Sequence, residues 1–436
     1  MRTKTEINNN EWFGEVPDGW RMVPLPRLFT SSKGMTVTRD DLVDDGAPVV
    51  NYAQVHSKLN NRFGINEELI KHIPTDMVPK GLKSSEKGSF IFACTSEDLA
   101  GCGDCIYNDS EQSVNPGGDT LLLSPVDGVE NKYFSYLFST DMWRWQIRRD
   151  LVDVKVFHVN QGHLHETYVA VPPYDVQRHI VSYLDERCTA IEEDITKRRE
   201  IIDKLKEYKK SLIVHAATKG LDPNAEMKAS GIKWTTTIPS NWQTAKVKTL
   251  FEVTKRIAGV DGLTVLSITQ DGVKPKDFST GKGQFAETYS HYQLVRRGDF
   301  AMNHMDLLTG WVDISSYDGV TSPDYRVFVT RDTTVSNPKY FLYLFQMCYL
   351  NRIFFGSANG VADKGRMRLQ TNAFNNFVVP LPPLEEQKRI AAYLDERCAV
   401  IDEAISRQEK LIEKLSEYRK SIIHHAATGK IDCREA

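Results

Sequence analysis

Along two stretches of this chain apolar residues recur at alternating spacings of four and three. In the first they are Leu184, Cys188, Ile191, Ile195, Ile202, Leu205, Leu212 and Ala216, interrupted by Arg198 and Lys209. In the second they are Leu394, Cys398, Ile401, Ile405, Ile412, Leu415, Ile422 and Ala426, interrupted by Gln408 and Arg419 at the same two places. A seam of this kind, kept over several heptads with charge on the other faces, predicts a long amphipathic helix packed on another helix. A helix of that length with one apolar stripe is not stable alone in water, and its own copy is the obvious partner. The long separation in sequence permits an antiparallel pair with a pseudo-two-fold axis, in which the polar seam residues help fix the register.

The two stretches are a duplication. Residues 172–222 and 382–432 align without a gap at a shift of 210, with 26 identities in 51 positions. YLDERC (183–188 and 393–398) and HAAT (215–218 and 425–428) are shared blocks. Pro173 and Pro383 suit a first helical turn, and Asp175, Glu385 and Glu386 sit where the helix dipole favours acid. Gly220 and Gly429 suit a left-handed stop. Each helix would be about 60 Å long.

Outside the helices the repeat persists as a frame. Trp12–Trp20 and Trp234–Trp242 share a W-x3-[VI]-P-x2-W pattern, and Tyr133–Phe138 echoes Tyr340–Phe345. Between these marks the halves diverge, as expected of one scaffold with two different recognition surfaces. Short β-like runs fall at 48–52, 89–93, 120–124, 264–268 and 325–330, and apolar periodicity predicts helix over 132–147 and 338–355. Turns are expected at Asn115–Gly118 and Ser322–Asp324. The fold class expected is α+β: two α/β-type globular recognition domains joined by two long antiparallel coiled-coil helices, with internal pseudo-two-fold repetition. The divisions are recognition domain 1 at 1–171, a central helix at 172–220, a linker and recognition domain 2 at 221–380, and a distal helix at 381–436.

Composition narrows the function. The chain has 436 residues, 41% hydrophobic and 26% charged, enough for several domains with their own cores. The opening MRTKTEINNN has no apolar core, so no signal peptide is expected, and no run is long enough to span a bilayer. Seven scattered cysteines suit reduced thiols in a cytoplasm. At a net charge of −3, nucleic-acid binding has to rest on local basic patches.

Catalytic motifs are missing. The Pro-Pro pairs are preceded by Val171 and Leu381, not by the Asn or Asp of an adenine-methyltransferase motif. Gly281-Lys282-Gly283 does not extend to a phosphate loop. Cys102 and Cys105 form a C-x2-C with Cys94 upstream but no second pair, so free thiols are expected and no metal. His215 and His425 read as last-turn cations, and the acidic pairs Asp185-Glu186 and Asp395-Glu396 as helix-surface ion pairing.

DNA-contact candidates are clusters of amide, hydroxyl and basic side chains, which read base edges and hold phosphates. In the first half they are Asn51, Tyr52, Gln54, Lys58 and Arg62, then Arg144, Arg148, Arg149 and Lys155. In the second they are Ser267, Thr269, Gln270, Lys274 and Lys276, then Lys364, Arg366 and Arg368.

The P-P-x3-Q-x2-I-x2-YLDERC and EY[KR]KS-x-I-x-HAAT blocks, with the opening segments at 12–20 and 227–242, resemble the DNA specificity subunits of type I restriction-modification systems. Ser322-Pro323-Asp324-Tyr325 resembles a segment frequent in that family's recognition domains, whereas Ser113–Asp119 in the first half departs from it. The resemblance implies a non-catalytic subunit. Each recognition domain would read one half of a bipartite double-stranded DNA target, and the helix pair would set the gap. Two methyltransferase (modification) subunits would dock on the frame and restriction/translocase subunits would join them. S-adenosylmethionine, ATP and Mg would be expected on those partners, with no cofactor on this chain. Half-sites about one DNA turn apart (roughly 34 Å) suit such a ruler. The alternatives are a specificity subunit of a Type II-like system, a stand-alone enzyme fused to its target domains, and a coiled-coil scaffold that binds proteins.

Overall fold

The computed structural model describes residues 9–10, 14–126, 128–149, 151, 156–278, 287–357 and 367–434. Two compact units account for the chain: residues 1–197 with 410–436, and residues 198–409. The division cuts through both long helices instead of setting them apart as separate segments. Each unit takes one globular part, half of one helix and half of the other.

In the first unit, four strands form an antiparallel sheet in the order Phe29–Lys33, Thr120–Pro125, Phe90–Ala93, Cys105–Tyr107. In the second the order is Phe251–Thr254, Arg326–Thr330, Phe300–Met302, Val312–Ile314, the same connectivity with different residues. The helix Asn131–Ser139 packs on the first sheet and Pro338–Leu350 on the second. The aromatic packing is duplicated. Phe29 meets Phe90 at 5.7 Å and Phe134 at 5.1 Å, while Phe251 meets Phe300 at 5.5 Å and Phe341 at 5.2 Å, all edge-on. Edge-on pairs of this kind add about 0.5–1.5 kcal/mol beyond the area they bury. A strand pair closes each part: Arg21–Pro24 with Tyr168–Val171, and Gln243–Lys246 with Val378–Leu381. The second strand of each pair runs directly into the Pro-Pro step and the long helix.

The periodic stretches expected as single helices are each broken. At Thr140 the backbone turns extended, and the hydroxyl caps the next helix, Asp141–Arg148, by accepting from Trp143 N–H. Pro338–Leu350 ends before Arg352, which takes a positive φ of 54° and leads into a 3-10 turn. Periodicity continues across such breaks because the same face stays buried. The Asn115–Gly118 turn also differs from expectation: Asn115 and Pro116 pair in parallel with Val49 and Val50.

The long helices span Tyr174–Lys219 and Leu384–Ala427. Gly220 and Gly429 end them at φ of 79° and 71°. In the first unit Leu184, Cys188, Ile191 and Ile195 share a core with Ile422, Ile423 and Ala426, and Ile412 and Leu415 pack against it. In the second unit Ile213 and Ala216, with Leu212 against them, share a core with Leu394 and Cys398. Ile202 and Ile401 are buried, while Leu205 and Ile405 are half-buried. The polar seam positions are paired. Arg198 donates to Gln408 at 2.9 Å and Lys209 to Asp402 at 2.7 Å, and Arg419 pairs with Glu192. The last two pairs are the same contact displaced by 210 positions. The residue numbers rise along one helix as they fall along the other, so within each unit the pairing is antiparallel.

Candidate nucleic-acid interface

The duplicated sequence blocks hold each globular part on the helices. Gln177 and Gln387, both buried, accept from the backbone N–H of Glu130 and Asn337 through the side-chain oxygen. Through the amide they donate to the carbonyls of Pro172 and Pro382. Asp185 of YLDERC takes Lys132 at 2.8 Å and the Tyr136 hydroxyl at 2.5 Å. Asp395 takes Lys339 at 2.5 Å and the Tyr343 hydroxyl at 2.9 Å. Burial, with the carboxylate second, raises the pKa of both tyrosines, so both stay as donors. The buried Tyr133 hydroxyl is shared between the carbonyls of Ala170 at 2.8 Å and Ala427 at 3.0 Å, and Tyr340 donates to that of Ala217, so both tyrosines reach a helix C-terminus. Trp20 and Trp242 lie against Gly429 and Gly220, where a Cβ would sit 2.9 and 3.3 Å from the indole. Each HAAT end therefore docks on the opening segment of the globular part in its own unit. None of these partners was legible in advance, although their identity in both copies was.

With the mount identical, what differs is what each part presents. In the first unit Asn51 precedes the short helix Tyr52–Val55. Its side-chain oxygen accepts from Gly118 N–H at 3.1 Å, and its own N–H donates to Gln54 Oε1 at 3.0 Å. That oxygen of Asn51 holds two loops together. Tyr52 and Lys58 are exposed. Arg62 stands at a positive φ of 70° and its guanidinium meets Asp104 at 2.7 Å.

Asp104 is a hub, taking Arg62, Arg144 and His56 Nδ1, the last at 3.2 Å. These partners hold its carboxyl below the ordinary range against a desolvation penalty, and its hydrogen bond raises the pKa of His56. Arg144 and Arg148 were expected as phosphate contacts on residue type, and the structure gives each a protein partner. Both are buried, Arg144 holding Asp104 and the Gly101 carbonyl, Arg148 holding the Ala100 carbonyl at 2.7 Å and Asp141 at 3.3 Å. Their helical spacing of four turns them inward, onto the loop 99–104. Arg149 lies 3.8 Å from Glu166. Lys155 is outside the described residues.

In the second unit the hairpin Leu266–Thr269 and Gly272–Pro275 buries Leu266, Ile268 and Val273. Strand alternation then turns Ser267, Thr269 and Lys274 to the other face, with Gln270 at the turn. Ser267 donates to the Lys274 carbonyl, and Lys276 lies 5.4 Å from the Phe278 ring centroid. Ser267, Thr269 and Lys274 therefore share one face of the hairpin. Arg368 rests its guanidinium on the Met305 sulfur. Lys364 and Arg366 are outside the described residues.

Two groups beside Arg368 carried no expectation. Arg326 is buried, donates to the Leu369 carbonyl at 2.9 Å and lies 4.5 Å from the Phe374 ring centroid, and burial pulls its pKa down to about 10. His304 is pushed down to about 3, first by burial and then by Arg326 and Arg368. Burial raises the thiols of Cys94 and Cys105 to about 11 and about 12. Among the described residues no His, Cys, Asp and Glu cluster is placed to hold a metal, and no helix is long and apolar enough to cross a membrane.

Comparison with known proteins places this arrangement. The sequence model of the family described as the type I restriction modification DNA specificity domain matches twice, at residues 17–201 and 239–415. A Methanocaldococcus jannaschii protein provisionally named the MjaX specificity subunit of a type I restriction enzyme is 23% identical, across 98% of this chain and 96% of its own length. The MjaVIII specificity subunit of the same organism is 26% identical over 63% of this chain and 64% of its own. The fold is that of a chain in a solved structure concerned with complex assembly and conformational transition of the type I R-M system. The TM-score is 0.69 at 15% identity, covering 96% of this chain and all of that one.

Proposed function

The chain belongs to the type I restriction-modification DNA specificity family, and from that premise we propose how it works as a specificity subunit. Each recognition domain reads one half of a bipartite double-stranded DNA target, and the two helices set the gap. The chain is not itself catalytic. It docks two methyltransferase subunits, which carry S-adenosylmethionine, and restriction subunits, which carry ATP and Mg. It acts on DNA in the cytoplasm.

One observation carries this reading: the same mount occurs twice and holds two unlike polar surfaces. An enzyme with two equal active sites would repeat the polar residues and vary the frame. Docking of one kind of partner twice is supported by a second duplicated feature. Ile201 and Tyr208 are 43% and 59% exposed on one helix, and their copies Leu411 and Tyr418 are 39% and 54% exposed on the other. A seven-residue spacing puts each pair on one helix face. Of the positions expected to touch DNA, Tyr52, Lys58, Thr269, Gln270 and Lys274 are the exposed ones best placed to do so.

The test is the methylome of a host carrying the complete system. Exchange of residues 1–171 for those of a relative should change one half of a split adenine-methylated motif and leave the other half and the spacer intact. A change in both halves, or in neither, refutes the division of labour.

A further inference from the structure

An open groove of about 800 Å³ lies in the first unit, between the globular part and the C-terminal end of the distal helix. One side is the loop 55–63, which bears Lys58 and Arg62. The helix contributes Arg419, Lys420 and His424, and the buried Arg144 and Arg148 also line it. Its carboxylates are Asp104 and Asp141, against six lysines and arginines. Asp104 is shared between two guanidiniums, and Arg419 is paired with Glu192. Lys58 and Lys420 are exposed and have no ion pair among the described residues. The Nε atoms of Arg144 and Arg148 are buried without a hydrogen-bond partner. The loop is held rigidly. Asn60 donates to the Val55 and Cys105 carbonyls, and Phe63 stacks on Tyr136 at 4.6 Å. A fixed wall with an excess of cations and an open mouth suits a phosphate group, which these donors bind through charge-assisted hydrogen bonds.

We propose that this groove binds the phosphodiester backbone of the DNA, so that the distal helix, besides bracing the frame, contacts the nucleic acid in the first unit. The inference rests on the DNA-reading role argued above and extends it to residues of the scaffold. The copy of His424 in the other helix is Val214, so the duplication does not repeat the chemistry. Flank contacts of this kind position the protein and carry no sequence information. A free phosphate or nucleotide offers the same chemistry, and the test separates the two sources.

The test measures affinity of the full-length chain for target and random duplexes across a salt series, for wild type, the double variant K58A/K420A and the control K210A. Lys210 is the copy of Lys420, exposed and outside the groove. Each lost phosphate contact flattens the salt dependence by about one unit and weakens all sequences alike. The double variant is therefore expected to lose about two units of slope on both duplexes, with K210A unchanged. An unchanged slope in the double variant overturns the proposal. So does loss confined to the target sequence. Wild-type binding that yields to inorganic phosphate at constant ionic strength, with no slope change in the double variant, assigns the groove to a free phosphate and overturns the DNA reading of it. A flat salt response in the wild type would instead sink the functional reading on which the groove depends. Both lysines are exposed and have no ion pair among the described residues, so the substitutions leave the fold intact, which a thermal melt verifies.

Discussion

Arg144 in the first unit and Arg326 in the second are both buried, and they are kept inside by opposite means. Arg144 faces a carboxylate, Asp104, which also holds Arg62 and His56. Among the described residues Arg326 has no carboxylate; a carbonyl, a hydroxyl, a sulfur and the face of Phe374 surround it. Around both, the sheet order, the aromatic packing and the mount on the helices are the same. The frame is fixed by duplication, and within it each part solved the burial of charge separately. Two readers of different sequences need that freedom, since the residues that support a surface must change with it.

The comparison breaks most sharply at the carboxylate. Asp104→Asn leaves the buried Arg144 uncompensated, along with its neighbours Arg62 and His56, and should cost about 3–5 kcal/mol in the first unit. Arg326→Met removes a charge that no acid balances, and should cost less than about 2 kcal/mol, for the Leu369 carbonyl left unpaired. Hydrogen exchange resolved by unit measures both. Equal losses would mean that the two arginines are held alike after all.

The frame should behave the opposite way. Tyr133→Phe and Tyr340→Phe each strip a buried hydroxyl from a helix-end carbonyl, worth about 1–3 kcal/mol. The two losses should agree to within about 0.5 kcal/mol if the mounts are equivalent, as denaturant unfolding of the two variants will measure. A large difference would show that the repetition is one of sequence and not of energetics.

Acidification should separate the units by a smaller amount. His304 has a folded-state pKa of about 3, below the ordinary imidazole value, so its contribution is present above about pH 6.5 and is lost as the pH falls. By pH 5.5 the second unit should have lost on the order of 1 kcal/mol. His56 is raised by Asp104, so its contribution is present below about pH 6.5 and is lost as the pH rises through its folded-state value. From pH 7.5 to 5.5, protection against exchange, taken relative to the intrinsic rate at each pH, should fall in the second unit and rise in the first. The same direction of change in both would contradict these assignments.

Much of the architecture was legible before any coordinate. The seam from Leu184 to Ala216, and its copy, marked two long helices, because side chains on one face must recur with the helical period to be buried together. The polar seam positions were read as register devices, and Arg198–Gln408 meets across the pair. The burial of Arg144 was not legible because basic residue type suggests a surface, whereas Asp104, lying 40 positions before it, makes an interior place for the guanidinium.

By itself, then, the sequence determined that one unit had been laid down twice, where the long helices run and which positions vary, since identity between copies and apolar period are local properties of the string. Only the tertiary structure decided which partner each repeated residue has. Tyr133 caps Ala427, 294 positions away, and no local pattern encodes so distant a contact. It also decided which cations stay inside and which face the groove. Burial depends on whether a carboxylate or carbonyl stands opposite, and that is settled only when separate stretches of chain are packed together.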